Sequence, residues 1–224
     1  MRTKPNSSDK RRMRAAVVLR ELKKLFPSAA IALKFSNNWE LVVAVMLSAQ
    51  CTDKKVNEVT RGLFKKYAVI GDYADAKAVE LEADIRPTGF FRNKARNIRA
   101  AAQMILKNYD GKIPDSMDEL LKVPGIGRKT ANVILGVAYG KTEGIAVDTH
   151  VIRLSRLYGL TDKKDAASIE RELMEILPRS EWISFTYRMI EYGRQYCPAR
   201  KHNHNECPLA KALFSKNKKA LVVR

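Results

Sequence analysis

Cysteine is scarce in this chain: Cys51, Cys197 and Cys207 are all it has. Three thiols do not make a disulfide framework, and their scarcity fits a reducing compartment. Long apolar runs are missing too. The longest, Leu41 to Leu47, falls well short of the roughly 18 residues a membrane span needs. The start of the chain is polar and basic with no apolar segment behind it, which argues against a secretory signal. A soluble, cytoplasmic protein without a membrane partner is expected. Acidic residues are also few. The 224 residues carry 24 Asp and Glu against 42 Lys and Arg, a net charge of +18. Such an excess repels itself in a compact body, so its natural use is a polyanionic partner, and nucleic acid is the first candidate.

Strand-like alternation is absent as well. Nearly every periodic segment has the helical repeat. Val56, Val59, Leu63 and Tyr67 share one helical face. Ile98, Ala101, Ala102, Ile105 and Leu106 share another. Ile169, Leu173, Ile176 and Leu177 form a stripe that Pro178 stops, and Trp182, Phe185 and Met189 form one that Gly193 ends. The valine-rich run Leu41 to Leu47 would suit a buried strand, but a strand with no partner is untenable, so it reads as a buried helix. The expected fold class is all-α, with helices of about 8 to 16 residues and short loops. The first fourteen residues, with Lys4, Lys10, Arg11, Arg12 and Arg14, read as a mobile basic arm merging into a helix that reaches Phe26.

The richest stretch runs from Leu121 to Ala131, followed downstream by Val147-Asp148-Thr149-His150. Ser116 and Glu119 match a capping box for a short helix over Met117 to Lys122. Pro124-Gly125-Ile126-Gly127 breaks that helix, because Pro124 lacks an N–H and the glycines allow positive φ. A second helix is expected from Arg128 to Ala138, apolar nearly all round and closed by Gly140. Its first turn carries Lys129. A helix start after a glycine turn offers backbone N–H groups to a phosphate. The macrodipole and burial against apolar walls would both favour the neutral, nucleophilic amine of Lys129. Asp148 lies 19 positions further on, far enough for one helix and a return loop to bring both side chains to one cleft. An amine and a carboxylate together suit attack on a sugar C1′, and the resulting Schiff base allows β-elimination of a 3′-phosphate without a metal. Two plainer roles stay open on these residues alone: Lys129 as a phosphate contact, and Asp148 as an N-cap, for which Thr149 is the other candidate, of a helix over His150 to Tyr158.

Val123 to Ala131 with Val147-Asp148-Thr149-His150 closely resembles the helix–hairpin–helix DNA glycosylase superfamily, and within it the endonuclease III family. Leu47-Ser48-Ala49-Gln50 with Thr52-Asp53 resembles that family's LSAQ-x-TD segment, and Gly89 to Ala95 its G-hydrophobic-aromatic-x-x-K-A segment. The resemblance covers most of the chain. It implies base excision repair of oxidised pyrimidines in double-stranded DNA, with AP lyase activity at abasic sites. Lys129 would be the Schiff-base nucleophile and Asp148 the catalytic carboxylate. Gln50 would fill the hole left by the extruded base, and Phe90, where leucine is usual, would push between bases. Gly125 and Gly127, with Arg128, would hold the DNA backbone. The implied architecture is a discontinuous domain of residues 1–30 plus 142–224 and a six-helix domain of residues 31–141, acting as a monomer associated with the nucleoid. The alternatives are a monofunctional adenine-mismatch glycosylase and a non-catalytic DNA-binding module. The first usually lacks lysine at the nucleophile position and has a glutamate in the segment where Gln50 and Cys51 stand.

Most members of that family hold a four-iron four-sulfur cluster in a C-x6-C-x2-C-x5-C pattern. Here Cys197 matches the first ligand and Cys207 the third, but His204 stands second and Leu213 fourth. Such clusters normally take four thiolates. The expectation from sequence is therefore no cofactor and no iron–sulfur cluster, with packing in its place. The alternative is a zinc site from Cys197, His204 and Cys207, with His202 as a further donor.

Overall fold

The structure, a computed structural model, describes residues 7–214. Those residues are helical, with no strand among them, and divide into two compact units. One comprises the residues up to Ala30 and those from Gly144 onward; the other is Ile31–Glu143.

The continuous unit is built on α2, Asn38–Leu47, the run whose valines also suited a strand. Asn37 caps it by accepting from the Glu40 N–H, and seven of its ten residues are buried. Around it stand α3 (Asp53–Lys66), α4 (Ile70–Asp75), α5 (Ala78–Ile85), α6 (Phe91–Tyr109), the single turn α7 (Met117–Leu120) and α8 (Arg128–Tyr139). α2 packs against α3, α6 and α8, while α6 also carries α4 and α5. Val42, Val43, Leu47, Leu81, Ile98, Ile105, Ile134 and Leu135 are fully buried in this core. Each such side chain contributes roughly 1.5–3 kcal/mol of burial. α8 ends where expected, with Gly140 in the left-handed region at φ +64°. It is less enclosed than its composition implies: Ala131, Asn132, Ile134 and Leu135 are buried, but Val133 and Val137 are only half-buried.

The other unit contains α1 (Ser7–Leu25), α9 (Thr149–Leu157), α10 (Ala166–Ile176), α11 (Trp182–Gln195) and α12 (Pro208–Phe214). α1 packs against α10, α11 and α12, and α9 against α11. The expected arm is corrected over most of its length. Helix α1 already spans Lys10, Arg11, Arg12 and Arg14, and Arg11 and Arg14 bond Asp162 and the Gly159 carbonyl. Lys4 lies outside the described residues. Gly193 does not end α11 as expected, because the helix continues to Gln195 with Gly193 buried. Polar ties cross this core. The Tyr158 and Tyr192 hydroxyls are 3.1 Å apart, and Tyr192 Oη accepts from the Leu209 N–H. No described helix is long and apolar enough to cross a membrane.

Candidate functional site

The turn before α8 is closed by its own backbone. The Val123 N–H donates to Leu120 O and the Ile126 N–H to Val123 O, with Val123 and Ile126 buried beneath. Only half of the expected capping box forms. Ser116 accepts from the Glu119 N–H, but the Glu119 carboxylate turns to Tyr109 Oη (2.7 Å) and Lys122 Nζ (2.6 Å). Gly125 stands at φ +81°, and a Cβ there would come within 2.5 Å of Met46 Cε and 2.9 Å of Asn97 Cβ. The turn thus presses on α2 and α6, and only glycine fits it. Gly127 is the N-cap of α8 and offers no side chain to its first turn. That start is available to an anion. Arg128 and Lys129 follow it, both exposed. Burial of Lys129 against apolar walls is therefore corrected: the apolar face of α8 turns to the core and Lys129 lies on the opposite side.

Asp148 sits at the head of α9, in the other unit. It is the N-cap, with Oδ1 accepting from the Val151 N–H at 2.8 Å. The cap uses one carboxylate oxygen and holds the half-buried side chain in a fixed orientation. Behind it, the His150 imidazole is pushed below its ordinary pKa, first by burial and against the pull of Asp148.

Gln50 and Phe90 share an uncommon backbone. They stand at φ +52° and +48°, in the left-handed region that non-glycine residues rarely adopt. Both are exposed, Phe90 by 62%. Strain of this kind concentrates at functional positions. One buried cation ties the two segments together. Lys94 is only 6% exposed, and its Nζ donates to Leu47 O (2.7 Å) and Thr88 O (2.8 Å). Leu47 ends the helix before Gln50, and Thr88 precedes Gly89 and Phe90. Burial lowers the Lys94 pKa, as expected for an ammonium held by carbonyls without a carboxylate. The sequence shows Lys94 within a recognisable segment but gives no sign of this link.

Between α11 and α12 the structure overturns the expectation of no cofactor with packing in its place. Cys197, His202, His204 and Cys207 bring one ligand atom each to a single point, all within 4.8 Å of one another. Cys197 Sγ lies 3.5 Å from His204 Nδ1, and Cys207 Sγ lies 3.3 Å from His202 Nε2. His202 joins the three residues of the zinc alternative as the fourth donor. Leu213, at the family's fourth ligand position, packs against the hydrophobic core instead. Two thiols and two imidazoles are a metal-binding set, but they are not the four thiolates that an iron–sulfur cubane takes.

The family profile "HhH-GPD superfamily base excision DNA repair protein" matches residues 43–179. Endonuclease III of Synechocystis sp. is 46% identical over 200 residues, which are 89% of this chain and 91% of that protein. A solved non-covalent endonuclease III–DNA complex is similar at TM-score 0.85 and 44% identity, over 91% of this chain and 95% of that one. A trapped endonuclease III–DNA covalent intermediate is similar at TM-score 0.84 and 46% identity, over 88% and 93%. With a match over more than half its length and relatives this near, the chain belongs to the HhH-GPD superfamily of base excision DNA repair proteins.

Proposed function

We propose that this chain is a bifunctional DNA glycosylase and AP lyase that removes oxidised pyrimidines from double-stranded DNA, with Lys129 as nucleophile and Asp148 as catalytic carboxylate. The observation that carries this reading is the head of α8. There an exposed lysine stands in the first turn, two residues after a glycine N-cap with no capping side chain, in a chain 46% identical to a protein trapped in covalent linkage to DNA.

The chemistry follows from those groups. The start of α8 holds a backbone phosphate, which brings the sugar within reach of Lys129. The deprotonated Nζ attacks C1′, the C1′–N bond breaks, and the base leaves with its bonding pair and takes up a proton. Asp148, fixed by its own cap, stabilises positive charge growing on the sugar ring. The ring opens to an imine between C1′ and Nζ. Loss of a C2′ proton then expels the 3′-phosphate, and water hydrolyses the imine to release the lysine. Gln50 occupies the place of the extruded base, and Phe90 enters the stack beside it.

The test is a set of duplexes with one lesion each: thymine glycol, 5-hydroxycytosine, dihydrouracil, 8-oxoguanine or an abasic site. Base release and strand nicking are scored separately. Release of the oxidised pyrimidines together with nicking is expected. Base release without nicking means a monofunctional enzyme, and DNA retention with neither activity means a binding module. Either result overturns the reading.

A further inference from the structure

The loop between α11 and α12 carries a metal-ligand set in a C-x4-H-x-H-x2-C order. Cys197 directly follows the C-cap of α11, and Cys207 directly precedes α12, where its carbonyl accepts from the Lys211 N–H. Both cysteines are buried, one fully and the other 3% exposed. The two histidines come from the loop between them, His204 from the one-turn 3-10 helix His204–Glu206. Their rings lie edge to face at 4.1 Å.

The size of the cluster distinguishes the kinds of metal centre. A tetrahedral ion with bonds of about 2.0–2.3 Å holds its donor atoms roughly 3.3–3.8 Å apart. The two closest thiol–imidazole pairs stand at 3.5 and 3.3 Å, and no pair of ligand atoms exceeds 4.8 Å. A four-iron cluster has an inorganic core between its ligands and spreads them further. It also asks for thiolates at all four corners. Packing alone would be satisfied by two separate thiol–imidazole hydrogen bonds and does not require all four donors to converge.

The surroundings support the same reading. His202 Nδ1 lies 2.9 Å from the Arg200 carbonyl. A carbonyl only accepts, so the hydrogen is on Nδ1 and the Nε2 lone pair faces Cys207. Outer contacts of this kind fix the tautomer of a ligating imidazole. Arg153 braces the opposite corner. Its guanidinium donates to the Cys197 carbonyl at 2.7 Å and approaches Cys197 Sγ at 3.8 Å, which fixes the position of that corner.

We propose that Cys197, His202, His204 and Cys207 bind one tetrahedrally coordinated zinc ion. The ion joins the end of α11 to the start of α12 and shapes the loop bearing the exposed Arg200 and Lys201. It has no part in the base-removal steps, so this inference stands independently of the catalytic reading.

The test is elemental analysis with an acid-labile sulfide assay on the untagged full chain, purified without chelator from medium containing both zinc and iron. About one zinc per chain and no sulfide is expected. Replacing that ion with cobalt(II) should give the visible bands of a tetrahedral site with thiolate ligands. Cys207→Ser and His202→Asn should each lose the ion and that spectrum. Because the cobalt spectrum is read on the wild-type chain, it stands even if a variant does not fold. Iron in any form, with or without sulfide, overturns the proposal. So does a protein that holds no metal and takes up neither zinc nor cobalt. An unchanged cobalt spectrum in His202→Asn overturns the assignment of the fourth ligand.

Discussion

The first turns of α8 and α9 each carry one half of the proposed catalytic pair, and they are built in opposite ways. α8 begins at Gly127, whose missing side chain leaves the start of the helix for an outside anion. α9 begins at Asp148, whose carboxylate closes the helix start from within. The positive end of a helix dipole is present in both. In one it is left open to an anion, and in the other it orients the side chain proposed as the catalytic carboxylate. The difference teaches that a helix N-terminus acquires its function from the cap residue. The same contrast separates the two roles left open for Asp148, because capping and catalysis use different properties of the same side chain.

Substitutions at the two caps sharpen or break this comparison. The largest effect is expected at Asp148. Asparagine caps a helix about as well as aspartate, so Asp148→Asn should melt like the parent chain yet remove bases about 10²–10³-fold more slowly, the scale of losing one electrostatic stabiliser. Asp148→Ala should lose that activity and also about 1 kcal/mol of cap, or roughly 2–4 °C in melting temperature for a chain of this size. Full activity in Asp148→Asn, with only Asp148→Ala impaired in stability, would reduce Asp148 to a cap. A smaller effect is expected when α8 is made to resemble α9. A Cβ at Gly127 meets nothing within 4 Å, so Gly127→Asp is accommodated. It should gain a few tenths of a kcal/mol as a cap while weakening duplex binding by about three- to tenfold at fixed salt. Unchanged affinity in that variant would mean that no phosphate sits at the head of α8.

Much of this contrast was legible in the residue order. Pro124, the glycines and the apolar run after Lys129 place α8 within a residue of its observed end, since proline and glycine act through their own backbone. Asp148, with Thr149, was legible as a candidate cap because a capping side chain bonds an N–H of its own helix start, which is also a local matter. The valine-rich α2 was assigned by the absence of a partner strand, and the structure is helical there. Exposure of Lys129 was not legible, because it depends on which side of α8 meets α2, a tertiary matter. Lys94 escaped because its partners, Leu47 and Thr88, lie 47 and 6 positions away and offer only backbone carbonyls, which leave no mark in a sequence. His202 became an equal fourth donor for a related reason. The resemblance points to Leu213 as the fourth position, whereas the turn at His204–Glu206 and the Arg200 carbonyl aim His202 inward.

The central claim is that the amine at the head of α8 bonds to deoxyribose. It is tested most directly by borohydride reduction of the wild-type chain on an abasic duplex, followed by proteolysis and mass spectrometry of the DNA-linked peptide. The account predicts a single adduct on Lys129, and at least about a thousandfold loss of both adduct and nicking in Lys129→Gln with duplex retention intact. An adduct on another lysine, or trapping that persists in Lys129→Gln, would contradict it.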